Sequence, residues 1–177
     1  TFAEVMLARF AMQAGNIIGV GTFTAPYVKP DFQTGQTPNM TPNWMVAGVG
    51  VEVSVDTETG GVRVTKQVNI GDVGRAINPS IVERQLNGAS IMQLGMTLFE
   101  QMLFEDGQVV NASLADYKIA GTLDVPAELI AEFIERPHEH GPFGAKGVGE
   151  TGTFAVSPAI ANAVFDAVCV RIMEMPL

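Results

Sequence analysis

The sequence predicts an α+β fold in which strands and helices follow one another in mixed order. Valines alternate with small or polar residues over positions 49–55 and again over 62–64, on either side of the turn "DTETGG". This period of two is typical of a β-hairpin. Long patterns with helical spacing follow Asn78 and Ser157, and each begins with a capping signal. No segment repeats at a fixed interval, so a repeat architecture is not expected.

The N-terminal part is predicted to contain a helix, a strand and a loop. "TFAEVMLARFAMQAG" begins with the capping-box pair Thr1 and Glu4 and ends at Gly15, which predicts a helix. "NIIGVGTFTAPYV", residues 16–28, is rich in β-branched and aromatic residues and predicts a strand. Four prolines between Pro26 and Pro42 then indicate a long loop, which we expect to lie over a neighbouring part of the protein.

The middle of the chain is predicted to contain a long helix and a second hairpin. Asn78 as the N-cap and Pro79 as the first helical residue predict a helix that continues to about Gln101. "LFEDGQVVN" predicts a short hairpin. "AELIAEFIERP" has the spacing of a helix, but its end is typical of a strand entering a loop. The residues alone leave both interpretations open.

A last helix is predicted over "AIANAVFDAVCVRI", with Ser157 as the N-cap and Pro158 at the first helical position. Its apolar stripe, which we expect to face a core, comprises Ile160, Val164, Val168 and Ile172. Cys169 is the single cysteine of the chain and is expected to be a buried apolar residue of this helix. One thiol cannot form an internal disulfide or hold an ordinary iron–sulfur cluster.

The composition favours a protein with a buried core and protein partners. Hydrophobic residues make up 47% of the 177 residues and charged residues only 16%, so we expect partner protein to cover much of the surface. A net charge of −9 argues against nucleic acid or an anionic membrane as a partner. No apolar run is long enough to span a membrane. The chain opens on Thr1 without a signal-peptide pattern, so we expect a processed subunit or a piece of a longer cytoplasmic polypeptide.

Two short motifs suggest binding sites but lack the context that such sites need. Gly147, Gly149 and Gly152 match GxGxxG, yet no strand pattern directly precedes them and the next helix is predicted only from Pro158. A dinucleotide site of the Rossmann type is therefore not expected. "HEH", residues 138–140, offers two imidazoles for a metal. A zinc site would need further ligands, so a solvated turn between prolines is the alternative interpretation.

Two glutamines and one glutamate are the other candidates for chemistry. Gln85 and Gln93 lie two turns apart on the predicted helix; each amide either bonds to neighbouring protein groups or recognises a polar cofactor. Glu150 lies in the glycine-rich stretch "GPFGAKGVGETG". It is either a solvated loop residue or a general base in a dry pocket, and Lys146 is a candidate for its counter-charge.

Two longer motifs carry a resemblance to a known family. "DVGRAINPSIVERQLNG", residues 72–88, and "GPFGAKGVGETGTFAVSPAIANAV", residues 141–164, resemble the C-terminal part of the molybdopterin-binding region of the xanthine dehydrogenase/aldehyde oxidase family. These enzymes are molybdenum hydroxylases. The similarity extends over essentially the whole chain. It implies an α+β subdomain, a mixed sheet with packed helices, occupying residues 1–177 of a larger catalytic unit, and it favours a strand for "AELIAEFIERP".

The resemblance also implies roles for individual residues. Glu150 matches the active-site base beside molybdenum, Gln85 matches a glutamine that hydrogen-bonds the pterin, and Lys146, Gly147 and Gly149 line the same loop. No residue here is expected to ligate the metal. The implied reaction hydroxylates an N-heteroaromatic compound or an aldehyde, with water as the oxygen source. The implied cofactor is molybdopterin with molybdenum, in the cytosine dinucleotide form common among bacterial relatives.

Several parts of the family pattern are absent from this sequence. The glycine-rich pterin segment and the substrate-orienting residues of the family lie upstream of the region that this chain resembles. We therefore expect partners: an upstream molybdopterin-binding segment or subunit, iron–sulfur and flavin (FAD) subunits, and a small-molecule substrate. Two alternatives remain at this point, a non-catalytic structural subunit of the same fold and a large subunit of the carbon monoxide dehydrogenase type.

Overall fold

The computed structural model describes residues 1–11 and 18–177. Its α-helices are α1 (Phe2–Phe10), α2 (Pro79–Leu98), α3 (Leu114–Tyr117) and α4 (Val156–Val168), and a short 3₁₀ helix spans Pro142–Gly144. Its strands are β1 (Ala47–Val55), β2 (Val62–Asp72), β3 (Phe104–Glu105), β4 (Gln108–Val109) and β5 (Glu128–Ile134). The predicted α+β class is confirmed, since helices and strands alternate along the chain. None of the described helices combines the length and the apolar character that crossing a membrane requires.

One three-stranded mixed sheet, in the order β1-β2-β5, organises the fold. β1 and β2 form the predicted antiparallel hairpin, and Asp56 closes its turn by accepting hydrogen bonds from the amides of Glu58 and Thr59. β5 pairs with β2 in parallel, so "AELIAEFIERP" does form a strand. Asp72 and Ile134 are partners at the last pair of this register. The carboxyl ends of the two parallel strands therefore lie side by side, where open α/β sheets commonly bind ligands.

The core lies between the sheet and the two long helices. One cluster joins Val64 of β2 to Leu94 of α2 and to three residues of α4, namely Val156, Ile160 and Val164. A second, smaller cluster contains Val73, Val82 and Leu86. It lies beyond the end of β2, so it fixes the start of α2 against the carboxyl ends of the parallel strands. Of the four predicted stripe residues, Ile160 and Val164 are buried, and Val168 is partly buried against the same cluster.

A buried chain of polar side chains also connects β2 to α2. Gln67 Nε2 donates to Asn69 Oδ1 at 3.0 Å, and Asn69 Nδ2 donates to Ser90 Oγ at 3.1 Å. All three side chains are at most 1% exposed. Because a buried amide is costly without partners, these bonds favour one register of α2 on the sheet.

The two long helices begin differently from one another. Asn78 caps α2 as predicted, its Oδ1 accepting from the Ile81 amide at 3.2 Å. The predicted N-cap of α4 is wrong: the helix begins at Val156, and Ala155 is its N-cap without a side-chain bond. Val156 is buried in the core cluster, so packing starts the helix before Ser157. The Ser157 hydroxyl instead lies 2.8 Å from Gln93 Nε2 and 2.7 Å from Thr97 Oγ1.

The end of α4 also departs from the prediction. The helix ends at Val168, and Cys169 is a left-handed C-cap residue with φ of 58°. Its side chain is exposed rather than buried. Ile172, the last residue of the predicted stripe, therefore lies beyond the helix, although it still packs against the core.

The N-terminal part contains one correct and one wrong prediction. Thr1 and Glu4 form the predicted capping box of α1, whereas the predicted end at Gly15 lies outside the described residues. The predicted strand over residues 16–28 is not formed in its described part, residues 18–28. A strand needs a neighbour to pair its backbone. Here the Val28 amide instead donates to Asn39 O within the loop, at 2.7 Å.

Candidate functional site

The two sequence motifs meet at the carboxyl end of β2. Leu86 of α2 and Thr151 of the glycine-rich stretch are both fully buried, and both lie against Gly71. A Cβ on Gly71 would lie 3.0 Å from Leu86 Cδ2 and 3.1 Å from Thr151 Cγ2. A side chain at residue 71 would therefore make Leu86 and Thr151 shift by a few tenths of an ångström, so glycine lets the helix and the loop come together closely above the strand.

A second contact brings the loop and the helix into direct backbone proximity. A Cβ on Gly152 would lie 2.5 Å from the backbone oxygen of Leu86 and 3.2 Å from the Ala89 Cβ. Gln85 precedes Leu86, and Glu150 precedes Thr151 and Gly152. The structure thus places the two predicted functional residues on either side of one packed junction, and both side chains are exposed.

The exposed edge of this junction consists of the loop residues Gly147, Gly149 and Glu150. No atom of the described residues lies within 4 Å of where a Cβ would project from Gly147, Gly149 or the helical Gly88. The Glu150 backbone oxygen accepts from the Thr153 amide at 3.0 Å and from Thr153 Oγ1 at 2.9 Å. These bonds fix the turn, while the Glu150 carboxylate has no ion-pair or hydrogen-bond partner among the described residues. The dry pocket considered for Glu150 is thus not formed by the described residues.

Lys146 is not the counter-charge of Glu150. Its Nζ lies 2.8 Å from Asp72 Oδ2, and the two side chains are only 13% and 12% exposed. Burial acts to raise the pKa of Asp72, but hydrogen bonds from Lys146 and the Gly74 amide, together with the lysine charge, outweigh it. The pKa of Asp72 is therefore held below its ordinary value of 3.8. The expected Lys146–Glu150 pair fails because the strand end offers the lysine a nearer, less exposed carboxylate.

Backbone contacts reinforce this attachment of the loop. The Lys146 amide donates to Val73 O at 2.9 Å, and the Arg75 amide donates to Gly144 O at 2.9 Å. Gly74, between them, has φ of +66°, and a Cβ there would lie 2.8 Å from the Lys146 nitrogen. A side chain at residue 74 would therefore be strained and would push the loop away. The loop is held at its Lys146 end by β2 and at its Gly152 end by α2.

The two glutamines of α2 have different surroundings. Gln93 donates from Nε2 to Ser157 Oγ at 2.8 Å and so joins α2 to α4. The Gln93 amide therefore bonds to a neighbouring protein group, which is one of the two interpretations that the sequence left open. Gln85 is exposed and has no side-chain hydrogen bond to the described residues, so its predicted role in cofactor binding stays a prediction.

The "HEH" segment forms a turn beside a shallow cavity. The His140 amide donates to His138 Nδ1 at 3.2 Å, and His140 Nε2 lies 3.2 Å from Glu139 Oε1. A cavity of about 300 Å³ lies between these histidines, Phe23 and Lys146. Across residues 1–11 and 18–177, no group of three or more His, Cys, Asp or Glu side chains is arranged to hold a metal ion. The solvated-turn interpretation is favoured.

The GxGxxG match lies outside the structural context of a dinucleotide site. β5 ends at Ile134, well before Gly147, and α4 begins at Val156, after Gly152. The loop is therefore neither entered directly from a strand nor continued by a helix that opens on its third glycine, as that site requires.

The residues that hold the site together have weaker signals in the sequence than Gln85 and Glu150. Asp72 is only the first residue of the motif over residues 72–88, and neither Thr151 nor Asn69 belongs to a pattern that predicts a role. A carboxylate at the end of a predicted strand next to glycine-rich turns was the available signal for Asp72. No local pattern could have indicated that Thr151 packs on Gly71, because their contact joins segments far apart in sequence.

Comparisons with known proteins identify the family of this chain. The family model of the molybdopterin cofactor-binding domain matches residues 1–126. The molybdenum-binding subunit PaoC of an aldehyde oxidoreductase from Escherichia coli K12 is 37% identical over 133 residues, covering 74% of this chain and 18% of PaoC. A probable xanthine dehydrogenase subunit from Bacillus subtilis is 36% identical over 150 residues, covering 83% of this chain and 20% of that relative.

Solved structures give the same result. The aldehyde oxidoreductase of Desulfovibrio gigas matches 81% of this chain, with a TM-score of 0.72 and 28% sequence identity. Quinoline 2-oxidoreductase of Pseudomonas putida 86 matches 66% of this chain, with a TM-score of 0.61 and 39% sequence identity. Each match covers 15% of the solved chain. This chain therefore spans one fifth or less of the length of these relatives. It belongs to the molybdopterin cofactor-binding domain family of molybdenum-dependent oxidoreductases.

Proposed function

We propose that this chain forms one wall of the active site of a molybdenum hydroxylase and supplies its general base, Glu150. The observation that carries the proposal is the packed junction of Leu86 with Thr151 and Gly152, whose chain neighbours Gln85 and Glu150 are both exposed. Exposed polar side chains held by a rigid junction are what a wall of a shared pocket requires. The other walls belong to an upstream molybdopterin-binding segment or to a partner subunit.

The exposed residues fit a molybdopterin with molybdenum. Gln85 offers an amide that can both donate and accept, and the open space at Gly147 and Gly149 lets a planar group approach the backbone closely. The polar groups here are amides and a single carboxylate. They suit hydrogen bonding to a pterin better than direct coordination of a metal by protein side chains. When bound, the cofactor supplies the molybdenum centre at which the substrate is oxidised.

Glu150 accepts a proton in this proposal. The carboxylate is unpaired among the described residues, and the bonds from Thr153 hold its backbone in place. A base must be ionised and within hydrogen-bonding reach of the proton that it removes. Because Glu150 is exposed in this chain, the proposal requires a covering wall in the assembled enzyme, since exclusion of water strengthens the interaction of the carboxylate with the reacting groups.

Residues 1–177 would constitute the C-terminal subdomain of the molybdopterin-binding unit. Iron–sulfur clusters and FAD would lie on partner chains, because the chain has one cysteine and electrons must still leave the site. Relatives named as molybdenum-binding subunits support this division of labour. The cytosine dinucleotide form of the cofactor remains part of the proposal, as does the location in the cytoplasm.

The proposed substrates are aldehydes or N-heteroaromatic compounds. An aldehyde oxidoreductase subunit and a quinoline oxidoreductase are among the similar proteins, at 37% and 39% identity. A carbon monoxide dehydrogenase also matches, with a TM-score of 0.66 and 28% identity, and is the second candidate. Glu150 and Gln85 are exposed and have no side-chain partner among residues 1–11 and 18–177, which argues against a purely structural subunit.

The substitution Glu150→Gln in the assembled enzyme tests the proposal. It removes the base while preserving size, so we expect turnover of quinoline or of an aromatic aldehyde to fall by about 10²–10⁴-fold. Molybdenum content and the oxidised-pterin fluorescence of the complex should stay at the unmodified level. A mutant complex that keeps both its cofactor and its turnover would remove Glu150 from the mechanism.

A further inference from the structure

The ion pair of Lys146 and Asp72 has a consequence for the proposed base. Lys146 lies four residues before Glu150 on the same glycine-rich loop, and its amine bonds instead to Asp72 at 2.8 Å. At Gly147 and Gly149, which lie between them, no atom in the described part of the chain lies within 4 Å of where a side chain would project. A long lysine side chain on such a loop can reach a carboxylate four residues away, unless another group holds it.

Lys146 pairs with Asp72 and not with the other charged residues near the loop. The titratable and charged residues on the segments packed against the loop are Arg75, Glu83, Arg84, Glu135, Arg136, His138, Glu139 and His140. Among the described residues none of them pairs with Lys146 or Glu150: His140 lies against Glu139, and Glu135 Oε1 accepts from the Ala76 amide at 2.7 Å. Asp72 also accepts from the Gly74 amide at 3.0 Å, which fixes its orientation.

We propose that Asp72 is a positioning residue that holds Lys146 away from Glu150, so that the glutamate stays free to accept a proton. This inference rests on the proposed function of Glu150. A lysine paired with Glu150 would stabilise its charged form and weaken it as a base. Asp72 prevents this by offering the amine a carboxylate that is only 12% exposed, at the rigid end of β2.

A labelling experiment tests the lysine position without any turnover. The assembled protein is treated with a limiting amount of an amine-acetylating reagent, and modification of Lys146 is quantified by mass spectrometry. Lys66, paired with Glu128 at 3.0 Å, serves as the internal reference. We expect slow labelling of Lys146, at least about fivefold faster labelling in Asp72→Ala, and still faster labelling in Asp72→Ala/Glu150→Gln, because a paired amine is protected. Equal labelling of Lys146 in all three proteins would overturn the proposal.

A kinetic experiment tests the consequence for the base. We expect Asp72→Ala to lower kcat about tenfold with little change in KM, and to move the acid limb of the kcat/KM profile about one unit to lower pH. The double variant Asp72→Ala/Lys146→Met should return the limb to its original position and recover most of kcat. Glu128→Gln, which breaks the Lys66 pair on the same sheet, should leave both unchanged.

The outcomes separate this inference from the proposed function. If Glu150→Gln retains turnover, the proposed function fails, whereas the labelling result still decides where Lys146 lies. If Glu150→Gln is inactive but the double variant is no better than Asp72→Ala, Asp72 acts only on folding and the inference is wrong. If Asp72→Ala gives little assembled protein, Asp72→Asn replaces it in every comparison, because asparagine removes the charge and keeps the size. An acid limb of the kcat/KM profile that does not move in Asp72→Asn also contradicts the inference.

Discussion

Gly152 lies against the backbone carbonyl of Leu86 so closely that a Cβ at residue 152 would be 2.5 Å from that oxygen. No side chain separates the glycine-rich loop from helix α2 at this point. The relative position of Glu150 and Gln85 is therefore set by backbone packing rather than by flexible side chains. Such a junction is rigid enough to keep two groups in one constant arrangement toward a shared ligand.

Gly152→Ala should separate the loop from the helix. Its Cβ would have to displace backbone atoms, so we expect the free energy of unfolding of the assembled protein to fall by about 1–3 kcal/mol, with a matching loss of turnover. Gly149→Ala is the matched control for folding, because its Cβ meets open space and Gly149 does not have positive φ. The control should fold normally but contain less cofactor. Urea unfolding and pterin fluorescence measure the two effects, and equal stability of both variants with the parent would contradict the packing argument.

The two glutamines of α2 should respond in opposite ways to substitution. Gln85→Ala removes an exposed side chain, so the free energy of unfolding should change by less than about 0.5 kcal/mol, while the molybdopterin content of the purified complex falls. Gln93→Ala removes the 2.8 Å bond to Ser157 and should cost about 1 kcal/mol with cofactor content unchanged. If Gln93→Ala is the variant that loses cofactor, the assignment of the pterin contact to Gln85 is wrong.

Sequence patterns predicted the elements whose signals are local. The alternating valines indicated the β1–β2 hairpin, and Asn78 with Pro79 indicated the start of α2. The strand predicted over residues 16–28 failed because strand formation depends on a pairing partner that the segment itself does not specify. Ser157 failed as an N-cap because the burial of Val156 moved the start of the helix upstream. Each failure marks a position where tertiary packing overrode a local preference.

The candidate site was predictable only in part, because contacts between segments far apart in sequence determine the rest of it. Glu150 and Gln85 were identified from motif residues, and the structure brings their segments together. The partner of Lys146 could not be predicted, since sequence proximity favoured Glu150 and the fold supplied Asp72. The polar chain of Gln67, Asn69 and Ser90 was equally inaccessible, because nothing in a strand pattern tells which polar residues face inward.

Asn69→Leu should destabilise the fold strongly. It removes the acceptor of Gln67 Nε2 and the donor to Ser90 Oγ, leaving the Gln67 amide buried without a partner, since its Oε1 already has none among the described residues. We expect a loss of about 2–4 kcal/mol in the free energy of unfolding, because each unsatisfied buried group costs about 1–3 kcal/mol. Gln67→Leu/Asn69→Leu should lose less, as it removes both buried amides. Ser54→Ala, on the exposed face of β1, is the control and should be near neutral in urea unfolding. A double variant less stable than Asn69→Leu would contradict this account.

The Asp72–Lys146 pair should contribute to the acid sensitivity of stability. Because the folded pKa of Asp72 lies below its ordinary value of 3.8, the pair stabilises the folded state above that value, where the carboxylate is ionised in both states. Its contribution is lost as the pH falls from about 3.8 through the lower folded pKa, because the unfolded chain then binds the proton first. Asp72→Asn should therefore be less stable than the parent near neutral pH, and the difference should shrink toward about pH 3. Urea unfolding of the assembled protein at a series of pH values measures this difference.

Asp72→Asn/Lys146→Met provides the matched comparison. Its stability should lose the same acid-dependent component as that of Asp72→Asn, since the pair is already broken. If the free energies of unfolding of the parent and of Asp72→Asn differ by the same amount at every pH, the prediction is wrong. The ion pair, although its atoms are only 2.8 Å apart, then contributes nothing to the pH dependence of stability.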